Sequence, residues 1–426
     1  MKRTPVTKLK DKQDALIRGW VFESRVMSKM AFLLIRDSSG MIQCIVKNDM
    51  LLKKLSGITL ESVVEVRGKV KKATVKAELA LKNFELEVKD INVLNKAEKL
   101  PIQVNEKAVV ADLPNRLDNR SLDIRKPRVH AIFKIQSTIA NAFREYFYKS
   151  GFIEIQPPGI IATSTEGGTE LFEAKYFNKK AYLAQSPQLY KQLAAISWEK
   201  VFSISPVWRA EKHDTSKHIN ECRQMDIECA FNNDIEIMKH LEGVVRYIVK
   251  AVIENNKEEL KILKRSLRFP DVKYLTYKEA VDVVNKYGFI MKYGEDFEPE
   301  AERKLCEIYK DTIVFTYEWP IEIKPFYIWL KDKKKGISGG FDALYGGIEI
   351  SSGGQRVHDP VVLIEMLKLK KLNPKDFKWY IDAFRFGAPY HSGWSIGLER
   401  LTQAILELDN IRECTLFPRD KKRLTP

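Results

Sequence analysis

The stretch VFSISPVWRAEKHDTSKHINECRQMDIECAF, residues 201–231, carries ionic side chains in the rhythm of a strand. Arg209 and Glu211 lie two residues apart, as do Asp226 and Glu228, and alternate residues of a strand share a face. Read as one hairpin, strands 201–209 and 224–231 set four charged groups on alternate positions, with Val207, Met225 and Ile227 expected to cover the opposite face. If protein covers the charged face, an unpaired charge there is costly, so the groups must pair with one another or meet a ligand. A solvated hairpin face is the alternative. The loop between the strands, with His213, Asp214, Lys217 and His218, suits contacts to a nucleotide or an RNA end.

Two further segments concentrate the same kind of chemistry. In GGFDALYGGIEISSGGQR, residues 339–356, Gly pairs recur and would let backbone approach a ligand closely, although ordinary turns would look alike. Asp342 and Glu349 are hard oxygen donors that could meet across a turn to hold Mg2+, and Arg356 follows seven residues later. In GAPYHSGWSIGLERLTQAIL, residues 387–406, a Gly-rich approach enters a helix with Arg400 in its first turn. A cation beside free backbone amides makes a pyrophosphate site, and a solvated Glu399–Arg400 pair is the plainer reading. No P-loop run and no G-x-G-x-x-G opening a helix is present, so those nucleotide sites are not indicated.

The elements that must position these groups follow from pattern. Residues 15–23, 31–37, 41–47, 62–71 and 84–94 read as five short strands, with Ser38, Ser39 and Gly40 as a tight turn. Five strands in about eighty residues suggest a small barrel of the OB type, which binds single-stranded nucleic acid in a basic groove with stacking aromatics. Phe22 and Phe32 are either such platforms or core residues. A polar connection with Pro101 and Pro114 follows, and after Pro127 the positions Val129, Ile132, Phe133, Ile139, Phe143 and Phe147 keep helical spacing up to Gly151. A strand at 152–156 ends at Pro157 and Pro158, and amphipathic helices are expected near 234–255 and 398–407. The fold class is therefore α+β, a five-stranded barrel followed by a domain built on an antiparallel sheet flanked by helices. The boundaries are expected at 1–100, with a connection or hinge over 101–128 and the larger domain over 129–426.

Composition bounds the function. The 426 residues hold 72 Lys and Arg against 57 Asp and Glu, a formal charge of +15, with 44% hydrophobic residues, which excludes a disordered chain. Residues 1–100 hold 21 of the cations and 12 of the acids, so +9 of the excess sits in the first quarter. That surface either aids solubility or meets a polyanion such as nucleic acid. Cys44, Cys222, Cys229, Cys306 and Cys414 are scattered without a Cys-x-x-Cys pair, so buried free thiols are expected rather than a zinc site. No apolar run approaches a membrane span and the N-terminus lacks an apolar signal core, so a soluble cytoplasmic protein is expected.

Three stretches of the chain, in order and behind a basic barrel, resemble the three motifs of class II aminoacyl-tRNA synthetases. Helix, strand and Pro at 129–158 resemble motif 1, the hairpin with Arg209 motif 2, and GLERL at 397–401 motif 3. The order of domains is that of the aspartate, asparagine and lysine subgroup, and the chain, including its ending FPRDKKRLTP, is most similar to its archaeal-type aspartyl enzymes.

That resemblance implies roles by position. The run QSPQLYKQ at 185–192 resembles an aspartate-binding stretch in which Ser186 and Gln188 hold the amino acid and Lys191, with Arg356, its side-chain carboxylate. Two cations in a closed pocket favour a carboxylate over a neutral amide. Glu166, in TSTEGGTELF, resembles a loop closing over the substrate, and Asp226 a group that meets its ammonium. Arg209 would contact the α-phosphate of ATP, Arg400 the γ-phosphate, and Glu211 the adenine. His218 belongs to the same ATP site, and Asp342 with Glu349 would hold Mg2+. In the barrel, Arg25, Phe32 and Gln43 match contacts to the central anticodon base, with Phe32 stacking and the other two reading its edge. Phe22 and residues 71–81 depart from the usual pattern near the third anticodon base. The implied activity is aspartate:tRNA(Asp) ligation by a homodimer. The alternatives are a non-discriminating enzyme that also uses tRNA(Asn), an asparaginyl enzyme, and an asparagine synthetase-like paralogue, which would lack the barrel.

Overall fold

Asp37 shows how local chemistry sets the first register. Its carboxylate accepts hydrogen bonds from Ser39 N (2.8 Å), Ser39 Oγ (2.7 Å) and Gly40 N (3.0 Å), and so ties the expected turn closed. The strands it joins are β2 (Ala31–Arg36) and β3 (Met41–Val46), preceded by β1 (Asp14–Val26). Helix α1 (Asp49–Leu55), capped by the Asn48 side chain, leads to β4 (Val63–Lys72) and β5 (Ala80–Asn95). The order β1-β2-β3-β5-β4 closes into a barrel, with β3 and β5 parallel and the other pairs antiparallel. Alternate residues such as Ile17, Leu33, Ile35, Cys44, Val66 and Leu86 fill its interior. The structure is a computed structural model that describes residues 1–106, 109–163, 170–212 and 215–426.

The chain divides into two compact units, Met1–Lys126 and Pro127–Pro426. The stretch expected as a connection is more ordered than its composition suggests. It carries α2 (Leu113–Asp118) and α3 (Arg120–Asp123), and Val104 and Leu122 pack with Phe22 and Leu34 against the outside of the barrel.

The second unit begins with α4 (Pro127–Lys149) and β6 (Ile153–Glu154), then the small sheet β7 (Ile160–Ile161), β8 (Glu173–Tyr176) and β9 (Lys179–Leu183). Next come α5 (Gln188–Trp198), the hairpin β10 (Lys200–Trp208) and β11 (Glu221–Ala230), α6 (Asp234–Asn255) and α7 (Lys257–Ile262). Between this half and the last motif lie β12 (Asp271–Thr276), α8 (Tyr277–Lys286), α9 (Pro299–Ile308), β13 (Thr312–Tyr317), β14 (Leu330–Asp332) and β15 (Ile337–Ser338). The chain closes with β16 (Gly340–Tyr345), β17 (Ile348–Gln355), α10 (Pro360–Leu369), α11 (Lys378–Arg385), β18 (His391–Gly397) and α12 (Leu398–Leu406).

Eight strands form one sheet in the order β12-β13-β16-β17-β18-β11-β10-β6. Its six central strands are antiparallel as expected, but β12 runs parallel to β13 and β6 parallel to β10, so the sheet is mixed at both edges. The 152–156 strand shortens to the two residues of β6. One face packs on α4 and α6: Phe143, Phe147, Leu241 and Val245 meet Phe202, Met225, Ile227 and Trp394, none more than 1% exposed. At the β16–β17 turn, Gly346 has φ +60° and Gly347 φ +86°, and a Cβ on Gly346 would stand 2.7 Å from Ala404 O, so no larger residue fits.

Candidate active site

The sheet register builds the site on the face turned away from α4 and α6. Thr316, Asp342, Ser352, Ser395, Asp226 and Ser203 stand in one cross-strand row from β13 to β10. Strands lie about 4.8 Å apart, so Asp342 and Asp226, three strands apart, are separated by roughly 14 Å along this row. A cavity of about 260 Å³ lies over it, lined by Ser186, Gln188, Lys191, Arg209, Glu211, His218, Asp226, Glu349, Arg356 and Arg400. The structure thus gathers nearly all the residues singled out in the second unit. Glu166, His213 and Asp214 lie outside the described residues.

Four charged groups form the closed end. Lys191 Nζ is 2.8 Å from Asp226 Oδ1, 3.2 Å from the Trp394 carbonyl and 3.6 Å from Glu228 Oε2. Arg356 holds Glu228 by two bonds, Nε to Oε1 at 2.9 Å and Nη2 to Oε2 at 3.3 Å. Lys191 and Arg356 are therefore not free cations awaiting a ligand. Burial raises the Glu228 carboxyl, but Arg356 and Lys191 overcome it and hold the group below its ordinary range. Burial prevails at Asp226, whose carboxyl is pushed up despite Lys191, so its negative charge is the less compensated of the two. The sequence placed Glu228 among the alternating charges without assigning it this partner.

The open end carries the remaining groups. Arg209 and Glu211 follow the end of β10 rather than lying on it, and Asn220 pins them: its Nδ2 donates to Arg209 O at 2.7 Å and Glu211 O at 3.0 Å. Val207, paired with Cys222, faces the site, which corrects the expectation that it lies with Met225 and Ile227 in the core. His218 Nε2 stands 3.8 Å from Glu211 Oε2. Arg400, in the first turn of α12, donates to the Glu349 carbonyl at 3.4 Å and lies 3.9 Å from its carboxylate. Glu399 is not solvated. It is buried, accepts from Arg223 N at 3.0 and 3.2 Å, and burial pushes its carboxyl up to about 7.

Asp342 does not line the cavity. It is buried and bound to Lys324 Nζ at 2.6 Å, a partner that the sequence did not mark. Glu349 keeps about 35% of its side chain open, yet burial in its recess and then the charge of Asp342 push its carboxyl up to about 7. A carboxylate whose proton affinity is raised by burial and by a second carboxylate suits a small hard cation, which would offset that repulsion. Among the described residues no three His, Cys, Asp or Glu side chains are placed to hold a metal, so such an ion would have to share its coordination with a ligand.

In the barrel, register puts Arg25 opposite Phe32 and Phe32 opposite Ile45, while Gln43 lies opposite Leu34. Arg25, Phe32 and Gln43 thus share the outer face, where Phe32 is half-buried and Gln43 Nε2 donates to Glu85 at 3.2 Å. Phe22 is no platform. It is buried among Leu34, Met41 and Val104 and lies 5.6 Å from the Arg36 guanidinium carbon.

Known proteins resemble the chain in both units. Residues 112–421 match the family described as tRNA synthetases class II (D, K and N), and residues 15–94 match the OB-fold nucleic acid binding domain. The chain is 42% identical over 424 residues to the aspartate–tRNA(Asp/Asn) ligase of Methanocaldococcus jannaschii, covering 98% of this chain and 95% of that one. It is 44% identical over 427 residues to the aspartate–tRNA(Asp) ligase of Thermococcus kodakarensis, covering 97% and 96%. The crystal structure of asparaginyl-tRNA synthetase from Pyrococcus horikoshii with asparaginyl-adenylate superposes with a TM-score of 0.93 at 34% identity over 100% of both chains. With residues of its second and third motifs gathered around one cavity and an OB barrel preceding them in the chain, the chain belongs to the class II tRNA synthetases of the D, K and N family.

Proposed function

We propose that this protein attaches L-aspartate to tRNA through an aspartyl-adenylate, with ATP as the second substrate. The observation that carries the reading is the closed end of the cavity, where Lys191 and Arg356 stand together over Asp226 and Glu228. An ammonium carries three donors and a guanidinium five, so Lys191 keeps one beyond Asp226 and the Trp394 carbonyl, and Arg356 keeps three beyond Glu228. A side-chain carboxylate accepts them all, whereas an amide must turn donors of its own toward the cations. Asp226, whose charge is incompletely offset, suits the substrate ammonium, beside Ser186 and Gln188.

The rest of the reaction needs alignment rather than a covalent enzyme intermediate. The aspartate α-carboxylate attacks the α-phosphorus in line and pyrophosphate leaves. The terminal ribose hydroxyl of tRNA then takes the aspartyl group and AMP leaves. Arg209 neutralises charge on the α-phosphate, Arg400 holds the γ-phosphate, and Glu211 contacts the adenine, with His218 in the same ATP site. Glu349 and Asp342 would hold Mg2+, which withdraws charge from the phosphate oxygens when bound. Glu166 would close the site. In the barrel, Arg25, Phe32 and Gln43 would read the anticodon, and two copies would associate through the 129–158 segment.

Aspartate-dependent exchange of pyrophosphate into ATP, followed by charging of purified tRNA(Asp) and tRNA(Asn), tests the proposal. Exchange with aspartate, abolished by chelation of divalent cations, is expected. Exchange with asparagine alone would overturn it, and charging of both tRNAs would make the enzyme non-discriminating.

A further inference from the structure

Behind Gln188 the pocket wall is a buried chain of polar side chains drawn from three elements. Gln188 Nε2 donates to Gln192 Oε1 at 2.8 Å, one turn along α5, and Tyr380 OH of α11 donates to the same oxygen at 2.8 Å. Gln192 Nε2 stands 2.8 Å from Nε2 of His391, the first residue of β18, and His391 Nδ1 lies 2.9 Å from the Pro389 carbonyl oxygen. Gln192, Tyr380 and His391 have no solvent exposure, and Gln188 keeps 4%.

These contacts can carry their protons in one order while the ring is neutral. A carbonyl oxygen only accepts, so His391 Nδ1 must hold the proton and Nε2 must accept. Gln192 then turns its nitrogen to His391 and its oxygen to Tyr380 and Gln188. Gln188 in turn spends its nitrogen on Gln192 and keeps its oxygen for the cavity it lines. Reversing one amide alone would set like against like in a buried site, acceptor facing acceptor for Gln188 and donor facing donor for Gln192.

We propose that Gln192, Tyr380 and His391 are positioning residues that fix the polarity of the Gln188 amide, so that the pocket offers an oxygen acceptor to the α-ammonium of the amino acid. This rests on the reading of Gln188 as an amino-acid contact. An imidazolium would reverse the chain, because Nε2 would then donate, Gln192 would turn over, and Gln188 would present its nitrogen to a cation. The groups facing the ring are Glu228 of β11, Arg356 and His358 after β17, the Pro389 carbonyl, and the Phe384 ring of α11 at 5.8 Å. Burial holds the ring below its ordinary range. Glu228 and the Pro389 carbonyl oppose this, while Arg356 and His358 add to it, so His391 stays neutral.

The test compares aspartate with succinate, which has the same two carboxylates and no ammonium, using the full-length enzyme in pyrophosphate exchange. Gln192→Met is expected to raise KM for aspartate about ten-fold or more, the worth of a hydrogen bond to a charged group, while inhibition by succinate stays within about two-fold. Gln192→Glu is expected to restore aspartate binding, because its carboxylate accepts from Gln188 and Tyr380 and pairs with a protonated His391. Parallel weakening of aspartate and succinate, or a Gln192→Glu enzyme as impaired as Gln192→Met, would overturn the proposal. Should Gln192→Met not fold, Tyr380→Phe removes one of the two donors to Gln192 and should shift the same ratio in the same direction; an equal shift for both ligands counts against it. Absence of exchange with aspartate in the unaltered enzyme would instead refute the substrate reading.

Discussion

Glu228 and Arg356, 128 residues apart in the chain, meet as a bidentate pair at 2.9 and 3.3 Å with neither side chain open to solvent beyond 2%. Such a pair adds little net stability, because desolvation offsets the attraction, but loss of one partner strands the other charge. Glu228→Gln should therefore lower unfolding free energy in urea by about 3–5 kcal/mol and raise KM for aspartate. Unchanged stability would show that Arg356 finds another partner.

Gly393 lies across the sheet from Glu228, and a Cβ there would stand 2.0 Å from Glu228 Oε2 and 2.3 Å from Ile227 O. Gly393→Ala should displace the pair and impair aspartate activation, with destabilisation of about 1–3 kcal/mol or more. Gly57→Ala, outside the cavity lining, is the control, since a Cβ there would meet nothing within 4 Å. Equal damage from both would sink the argument.

Lys191→Ala leaves Asp226 buried without its cation. Aspartate-dependent exchange should fall by the equivalent of about 2–5 kcal/mol, while ATP binding measured without amino acid is retained. Survival of aspartate activation would mean that the side-chain pocket lies elsewhere.

The Glu399 carboxyl is raised from its ordinary 4.5 to about 7, chiefly by burial. The folded chain thus keeps a proton that the unfolded chain releases, so this group reduces stability as pH rises from 4.5 to about 7. Glu399→Gln removes that dependence. Thermal unfolding at pH 8 should find the variant more stable than the parent by up to roughly 3 kcal/mol, and at pH 4 the two should be alike. A variant that loses stability at both pH values would show that its bonds to Arg223 N outweigh the titration.

Phe32→Ala should weaken tRNA charging by about 1–3 kcal/mol, the worth of stacking one base, and leave pyrophosphate exchange unchanged. A loss of exchange would contradict an anticodon role.

Much of the architecture was legible because it rests on local rules. Alternation gave the five barrel strands and the β10–β11 hairpin, and helical spacing gave α4 and α6 within a few residues. Short elements such as α1 and α3 escaped, since so few residues carry no visible period. The edge strand β6 was foreseen as a strand at 152–156 but not its parallel pairing, and β12 escaped altogether, because edge partners are chosen by the completed sheet.

The sequence by itself determined which residues could do the chemistry: Arg209, Glu211, Asp226, Glu228, Asp342, Glu349, Arg356 and Arg400 were all marked by type and spacing. Tertiary structure alone decided which charges are already matched and which are left for a ligand. Arg356 belongs to Glu228, Asp342 to Lys324, Glu399 to a backbone amide, and Gln188 faces the cavity in a direction consistent with His391. The physical reason is that a charge or a hydrogen-bond polarity inside a protein is set by neighbours a few ångströms away across the sheet, and those neighbours lie up to some 200 residues distant in the chain.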